Sequence, residues 1–329
     1  MLRNLACLTG KANAMSLDLA AIRSALARIA PHIVRTPVLR SDAIDAACGG
    51  QLFFKCENLQ STGAFKARGA ANAVFSLTNE EAARGVVTHS SGNHAAALAR
   101  AARLRGIPAH IVMPANAPIV KVRNVERYGG RITYCEASLN AREAACARLV
   151  AETGATLVHP FNDFAVMAGQ GTATLELLAE VPDLDGILCP VGGGGLLCGT
   201  AVAAKGLRPS ICVTGVEPAQ ADDVAQSFRA RRAISIPSPA TLADGLRTNC
   251  TGERNLPLIL AHVDEIVTVS EAGIVAAMHT LWEELKIVVE PSGAVPFGGI
   301  QEGRMETRGK KLGVILSGGN VDLDHLPWL

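Results

Sequence analysis

One lysine of the sequence lies in a setting that suits covalent chemistry with a carbonyl compound. Lys66 stands in residues 61–69, a run of mostly small residues in which Gly63, Ala64 and Phe65 precede it. Most lysines are solvated surface groups, and this interpretation stays open for a lysine judged alone. An ammonium group among apolar neighbours loses its proton more easily, which favours a nucleophilic amine or a Schiff base. Lys66 is therefore a candidate nucleophile.

A run of four glycines is the second feature with a chemical use. It follows the apolar stretch 186–191 and precedes a predicted helix. Glycines there let successive backbone N–H groups point at one anion, and the helix N-terminus adds partial positive charge. A tight turn is the alternative, but four glycines exceed what a turn needs. The run lacks the third glycine of a dinucleotide-binding loop and the lysine of a Walker A loop, so we predict a phosphate site. The glycines are Gly192, Gly193, Gly194 and Gly195.

A second strand-to-helix junction carries several polar groups. Its residues are Ser90, Ser91, Gly92, Asn93 and His94. An N-cap is the ordinary explanation of serine or asparagine at such a place. Two serines, a glycine and an asparagine are more than capping requires, and together they offer N–H groups and hydroxyls to a carboxylate. The histidine alone is more often structural.

Alternating strands and helices place these motifs at strand ends. Helical stretches separate most of the predicted strands, which is typical of parallel sheets. We therefore predict an α/β fold with two parallel-sheet domains. Residues 85–160 are predicted to form the small domain, and residues 1–84 and 161–329 the large domain. The strands are predicted at 85–88, 109–113, 131–135, 156–158, 186–191, 211–216, 266–269 and 312–316.

Composition argues against several classes of partner. The chain has 329 residues, 49% of them hydrophobic, and a formal net charge of +1. This charge gives no electrostatic reason to expect nucleic acid or an anionic membrane, and no apolar run is long enough for a membrane span. The nine cysteines show no C-x-x-C pair and no zinc-ligand spacing, so we expect free thiols and a cytoplasmic protein. Met1 and Met15 are both compatible with the start of translation.

Six motifs follow one another along the chain. They are S-T-G-A-F-K-A-R-G-A at 61–70, S-S-G-N-H at 90–94, H-P-F-N-D at 159–163, A-G-Q-G-T at 168–172, P-V-G-G-G-G at 190–195 and S-G-G-N at 317–320. In this order they closely resemble the pyridoxal-phosphate enzymes of fold type II, which have the tryptophan synthase β-like fold. The resemblance is to the serine/threonine dehydratase and serine racemase family, 3-hydroxyaspartate dehydratase-like members included, and it covers nearly the whole chain.

The resemblance implies which residues hold pyridoxal phosphate between the two domains. Lys66 would bond the cofactor as a Schiff base and, once released by substrate, act as the base on the α-proton. Phe65 would lie beside the cofactor, Asn93 would bond the 3-oxygen of its ring, and residues 192–195 would hold its phosphate. Ser317 would face the pyridine nitrogen. A serine does not enforce a protonated ring, so the cofactor is a weaker electron sink, which suits rapid loss of a β-leaving group.

The resemblance also implies which residues contact the substrate. Ser91 is similar to the serine that racemases of this family use as the acid and base on the opposite face. Ser61 stands where nucleotide-activated racemases carry lysine, so activation by nucleotide is not expected. The residues that would bind the substrate carboxylate are Ser61, Thr62, Ser91, Asn93 and His94.

Three further residues bear on the substrate side chain. Phe161 lies in H-P-F, which dehydratases typically carry where animal racemases have asparagine. Arg142 matches a family position that reaches a second carboxylate, which would make 3-hydroxyaspartate a substrate. A solvated helix residue is the alternative. Thr248 lies in a loop expected to face the same pocket, and a larger substrate such as phenylserine stays open.

A pair of carboxylates near residue 220 suggests a metal site. Hard divalent cations prefer several oxygen ligands, which Glu217, Asp223 and the Ala221 carbonyl can supply. The segment is similar to the magnesium or calcium site of the family, and Mn²⁺ is a further candidate. Two solvated surface carboxylates are the alternative.

The expected activity is a dehydratase that removes water from serine, threonine or 3-hydroxyaspartate and releases a 2-oxo acid and ammonia. An amino-acid racemase that uses Lys66 and Ser91 is the first alternative, and a non-catalytic binding protein on the same fold is the second. The family resemblance also implies a homodimer.

Overall fold

The computed structural model describes residues 17–90, 92–117, 119–237 and 239–328. Its strands are β1 (Val38–Leu39), β2 (Gln51–Cys56), β3 (Val86–His89), β4 (Ala109–Pro114), β5 (Arg131–Cys135), β6 (Thr156–Leu157), β7 (Gly186–Pro190), β8 (Cys212–Pro218), β9 (Glu265–Val269) and β10 (Lys311–Leu316). Its α-helices are α1 (Leu19–Ile29), α2 (Asp42–Cys48), α3 (Lys66–Ser76), α4 (Asn79–Arg84), α5 (Asn93–Arg105), α6 (Ile119–Arg127), α7 (Leu139–Thr153), α8 (Phe164–Glu180), α9 (Gly195–Leu207), α10 (Asp223–Ala230), α11 (Asn255–His262), α12 (Glu271–Leu285) and α13 (Pro291–Gln301).

The strands form two sheets. The larger has six strands in the order β1-β2-β10-β7-β8-β9, and the smaller has four in the order β5-β4-β3-β6. All neighbours in both sheets are parallel except β1, which runs antiparallel to β2 at an edge. The predicted α/β class is confirmed.

Helices cover both faces of the larger sheet, so its central strands are apolar throughout. All residues of β7 are buried. Ile187 and Cys189 pack into the core that contains α8 and α9, whereas Leu188 packs into the opposite core with α12 and α13. This alternation is the period of two expected of a strand. Burial on both faces explains why the sequence shows continuous apolar runs here.

Helix α8 is longer than the sequence suggests. The pattern predicts a helix over 171–179, but α8 begins at Phe164, where Asp163 accepts hydrogen bonds from the backbone nitrogens of Ala165 and Val166. Its glycines are contact points, because a Cβ at Gly169 would lie 2.6 Å from the Gly69 Cα of α3. Close packing thus outweighs the helix-breaking tendency of glycine.

Helix α13 is not predicted by the sequence pattern, because its segment contains Pro296 and three glycines. Pro291 occupies the first turn, where proline is favoured. The helix is almost wholly buried between β10 and α12. Tertiary packing therefore supports a segment of low intrinsic helix propensity.

Two expectations from the sequence concern membrane spans and the state of the cysteines. In the part of the chain that the structure describes, no helix is long and apolar enough to cross a membrane. The cysteines of that part are free thiols. Residues 1–16, which include both candidate start methionines, lie outside the described residues.

Candidate active site

The predicted motifs meet because they follow the carboxyl ends of parallel strands. β2 leads to the lysine loop, β7 to the glycine loop, β10 to Ser317 and β3 to the turn before α5. Ligands of open α/β sheets bind at this end of the strands. The lysine loop is tied to β10 directly, since the Phe65 nitrogen donates to the Ser317 carbonyl at 3.0 Å and Ala64 bridges Gly318.

Lys66 is the first residue of α3, and its side chain is half-buried. Its Nζ donates a hydrogen bond to the Pro160 carbonyl at 2.7 Å and lies 5.0 Å from the centre of the Phe65 ring. Burial lowers the pKa of Lys66 to about 8. An amine with that pKa is neutral in a useful fraction of molecules near neutral pH, as a nucleophile or general base requires.

Thr62 has a strained backbone beside the lysine. Its φ of 69° lies in the left-handed region, which a β-branched residue rarely adopts. The Asn320 side-chain amide holds this conformation by donating to the Thr62 carbonyl at 2.7 Å. The Thr62 hydroxyl is buried and has no hydrogen-bond partner among the described residues. Strain and an orphaned hydroxyl together fit a ligand-binding position.

Asn93 is held from two sides. Its Nδ2 donates to Glu290 Oε1 at 2.8 Å, and its Oδ1 accepts from Asn320 Nδ2 at 2.9 Å. Glu290 Oε2 accepts from the Asn320 backbone nitrogen at 3.0 Å. An amide nitrogen has two hydrogens, so Asn93 keeps one N–H for a further acceptor. Burial, and to a smaller extent the Asp244 charge, raise the pKa of Glu290 to about 8.

The glycine loop offers backbone N–H groups to an anion. Helix α9 has no side-chain cap at its N-terminus, and within the described residues no carbonyl or side chain accepts from the N–H groups of residues 192–195. Gly194 has φ 96°, a conformation that glycine adopts without strain. A Cβ at Gly193 would lie 2.4 Å from the Phe161 ring. The loop and Phe161 are therefore in close contact, and the free N–H groups fit a phosphate.

Ser317 lies at the end of β10 and is 3% exposed. Its hydroxyl donates to the Ser292 carbonyl over 3.4 Å, which is a weak hydrogen bond. The hydroxyl is thus able to turn toward a better acceptor, such as a pyridine nitrogen.

Burial lowers the pKa values of the histidines around the site. His94 Nε2 must be the donor to the Val158 carbonyl at 3.2 Å, so its buried Nδ1, without a partner among the described residues, is an acceptor. Burial and the nearby Lys66 hold the pKa of His94 well below its usual range. Burial lowers the pKa of His89 to about 4, with Arg142 adding to the shift. In this tautomer His94 Nδ1 can only accept a hydrogen bond. It therefore suits a hydrogen-bond donor of a ligand rather than the substrate carboxylate predicted for it.

The remaining predicted substrate residues are spread more widely. Ser61 is half-buried next to Thr62, whereas Ser91 lies outside the described residues. Arg142 is on α7, where its Nε donates to the Ser138 carbonyl at 3.3 Å. The Thr248 hydroxyl donates to Asp223 at 3.3 Å, so Thr248 lies beside the candidate cation site.

Glu217 and Asp223 are buried rather than solvated. Glu217 accepts from the backbone nitrogens of Val224 and Ala225. Burial and the Asp223 charge raise the pKa of Glu217 well above its usual range, and burial raises that of Asp223 to about 7. Asp223 Oδ2 has no partner among the described residues. Such a pair fits a cation, although no cluster of three or more His, Cys, Asp or Glu suited to a metal occurs in the described ranges. Carbonyl oxygens such as that of Ala221 would have to complete the ligands.

A family model described as "Pyridoxal-phosphate dependent enzyme" matches residues 29–318. The chain belongs to this family. Pyridoxal phosphate is accordingly its cofactor, and the recognised resemblance is confirmed.

Known members of the pyridoxal-phosphate family are similar along almost their full length. A serine racemase of Oryza sativa subsp. indica is 52% identical over 314 residues, which cover 94% of this chain and 92% of the relative. A β-hydroxyaspartate dehydratase of Paracoccus denitrificans is 51% identical over 301 residues, covering 92% and 95%. The solved structure of maize serine racemase superposes with a TM-score of 0.92 at 50% identity, covering 94% of this chain and 95% of that one.

Sequence reasoning missed two residues of the candidate site. Asn320 belongs to a quoted motif but receives no role there, and Glu290 is not singled out at all. Both contact Asn93. The one local signal for Glu290 is Pro291 after it, since proline in a first helical turn marks a helix start.

Proposed function

We propose that the protein is a pyridoxal-phosphate-dependent ammonia-lyase that eliminates water from a β-hydroxy amino acid. The observation that carries this proposal is the place of the Lys66 amine, which bonds the Pro160 carbonyl at 2.7 Å, directly before the Phe161 ring that contacts Gly193 of the glycine loop. The 51% identity to a β-hydroxyaspartate dehydratase supports the reaction class.

Bound pyridoxal phosphate supplies an electron sink for the negative charge that develops at the substrate α-carbon. Lys66 would hold the cofactor, and its free amine would accept the α-proton of the substrate. The Cβ–O bond then breaks, and the hydroxyl leaves as water with a proton that balances the one taken from the α-carbon. Hydrolysis of the released enamine gives the 2-oxo acid and ammonia, so the net change is loss of ammonia alone.

The chain's own groups orient the two reactants. The N–H groups of residues 192–195 would hold the cofactor phosphate, and Ser317 and the free N–H of Asn93 would bind its ring. Phe65 would be a further residue that holds the cofactor. The orphaned Thr62 hydroxyl, with Ser61, binds the substrate carboxylate. We propose that residues 85–160 act as the small domain and the rest of the chain as the large domain.

We further propose that 3-hydroxyaspartate is turned over in preference to serine or threonine. Arg142 is close enough to His89 to influence its pKa, and His89 ends the strand that leads into the site. A charge-assisted hydrogen bond to the second carboxylate is worth about 1.5–3 kcal/mol. R142Q should therefore reduce kcat/KM for 3-hydroxyaspartate by about tenfold to a hundredfold and leave that for serine unchanged.

Ammonia release from serine, threonine and the 3-hydroxyaspartate diastereomers tests the reaction and the specificity together. Arg148, exposed on the same helix, provides the control variant R148Q, which should behave like wild type toward all substrates. Absence of turnover with every one of these amino acids would refute the lyase proposal.

An amino-acid racemase is the second candidate, supported by the 52% identity to a serine racemase. Lys66 and Ser91 would then act on opposite faces of the α-carbon. Formation of D-serine from L-serine, lost in S91A with elimination retained, would support this activity.

Three further properties are proposed. Glu217, Ala221 and Asp223 bind Mg²⁺, Ca²⁺ or Mn²⁺, since Asp223 Oδ2 is buried without a partner among the described residues. The free thiols support a cytoplasmic location. The family resemblance supports a homodimer, which light scattering on the purified protein tests.

A further inference from the structure

Four charged side chains form a closed cluster in the interior around the start of α3. Lys55, Glu57 and Arg68 are 0% exposed, and Glu176 is 6% exposed. These four residues, called the buried charge cluster below, carry two positive and two negative charges. The charges cancel within the cluster.

Arg68 is the centre of the buried charge cluster. It donates to Glu57 from Nε at 2.7 Å and from a terminal nitrogen at 2.8 Å. It also donates to Glu176 at 2.8 and 2.7 Å and to the Thr172 hydroxyl at 3.1 Å. All five N–H donors of the guanidinium are therefore used. A lysine has three donors and no planar fork, so it cannot reproduce this arrangement.

The other members complete the same network. Lys55 Nζ donates to Glu176 and to the Thr36 carbonyl, both at 2.7 Å. The Thr36 hydroxyl donates to Glu57 at 2.6 Å. The cluster has no orphaned polar atom among the described residues. The cluster therefore has no free polar group for a ligand. Its role must instead come from the strands and helices that it connects.

Stability alone is a poor explanation of the cluster. Removing four charges from water is costly, and apolar side chains of similar volume are often as stabilising in such a place. A buried ionic network does, however, permit one arrangement of the elements that carry it, because each hydrogen bond has a preferred geometry. The elements here are β2, the turn after it, α3 and α8.

The cluster joins these elements at the start of α3. Arg68 follows Lys66 by two residues, so the two side chains project about 200° apart around the helix and about 3 Å apart along it. A displacement of Arg68 therefore displaces Lys66. We propose that the buried charge cluster sets the position of Lys66 in the active site, with Arg68 as a positioning residue. The inference rests on the proposed covalent role of Lys66.

The decisive variant is R68K in the full-length enzyme, which keeps the charge and loses the fork. Three readouts separate position from stability: thermal unfolding, the kcat and KM values, and the rate at which borohydride fixes added cofactor on the Lys66 peptide. We expect the fixation rate and kcat to fall by about tenfold to a hundredfold, as for a misplacement of about 1 Å, with KM unchanged. R105K is the matched control, since Arg105 bonds the Leu77 carbonyl at the far end of α3.

A second variant tests the network from its other side. E57Q keeps the volume of Glu57 but weakens the two hydrogen bonds that this residue accepts from Arg68. We expect the fixation rate and kcat of E57Q to fall in the same direction as those of R68K, with KM unchanged. Wild-type values of both in folded E57Q would contradict the positioning role.

The outcomes are distinguishable. If wild type itself fixes no cofactor on Lys66, the proposed function fails. If wild type does so and folded R68K matches it in fixation rate and kcat, only the positioning role is overturned. If R68K and E57Q both fail to fold, the positioning role is also overturned, because the cluster would then serve the fold itself.

Discussion

Glu290 accepts a hydrogen bond from the side-chain nitrogen of Asn93 at 2.8 Å. The bond joins the N-terminus of α13 to that of α5, two elements from opposite parts of the chain. It uses one of the two amide hydrogens of Asn93 and fixes the direction in which the other can donate. A buried carboxyl group thereby determines the orientation of the Asn93 amide, which we propose binds the cofactor.

The pH dependence of stability should reveal Glu290. Its pKa is raised from 4.5 to about 8, chiefly by burial. The native state holds this proton more tightly than the unfolded chain, so the contribution of Glu290 to stability falls as pH rises between these values. The E290Q variant has an uncharged side chain at every pH, so its stability lacks this dependence on pH. The melting temperature of wild type relative to E290Q should decline across this range, whereas E283Q, at an exposed glutamate, should run parallel to wild type. Parallel curves for E290Q would contradict the assignment.

Lys66 should show the opposite behaviour in the cofactor-free protein. Burial lowers its pKa from 10.5 to about 8, so the native state binds this proton less tightly than the unfolded chain. Stability should therefore rise as pH rises from about 8 to 10.5. K66M should melt at a higher temperature than wild type at neutral pH, and its advantage should shrink above pH 8. Calorimetry across this range measures both effects. An unchanged melting temperature would mean that the ammonium is well solvated.

Cation binding should depend on the ionisation of Asp223. Its pKa is raised to about 7 by burial, and metal ligands must be deprotonated. Mg²⁺ should raise the melting temperature of wild type more at pH 8 than at pH 6. D223N should lose this response. D222N is the control, because Asp222 bonds Gln226 at 2.7 Å and should leave the response intact. Equal responses in D223N and wild type would exclude this site.

Phe161 and Gly193 should be energetically coupled. A methyl group at Gly193 would lie 2.4 Å from the Phe161 ring, and His159 packs against that ring at 4.6 Å. Overpacking of this kind costs about 1–3 kcal/mol. G193A should weaken pyridoxal phosphate binding by about tenfold, and F161L added to G193A should recover part of the loss. Titration of the cofactor-free protein measures these affinities. Wild-type affinity in G193A would show that the loop moves freely.

The sequence predicts which loops lie near one another because the ends of its strands can be recognised from the residue pattern. β5 (Arg131–Cys135) has the predicted bounds, and the glycine loop and Ser317 follow predicted strands. Parallel strands bring such positions to one edge of a sheet, so their proximity follows from the fold class alone.

The polar network behind the site was not predictable in the same way. Asn93 and Asn320 are 227 residues apart in the chain, and Asn93 and Glu290 are 197 residues apart. No local pattern relates such residues, since their contact depends on how the two sheets pack. Helix α13 was missed for a related reason, because burial rather than local propensity supports it.

The position of β10 has a consequence for how the protein is made. This strand, Lys311–Leu316, pairs with β2 on one side and β7 on the other. Among the described strands it comes last in the sequence, yet it lies inside the larger sheet. During synthesis β2 and β7 have no shared neighbour, so the lysine loop and the glycine loop cannot yet align. A chain not yet extended past Leu316 therefore lacks the strand that joins β2 to β7 and brings their two loops together.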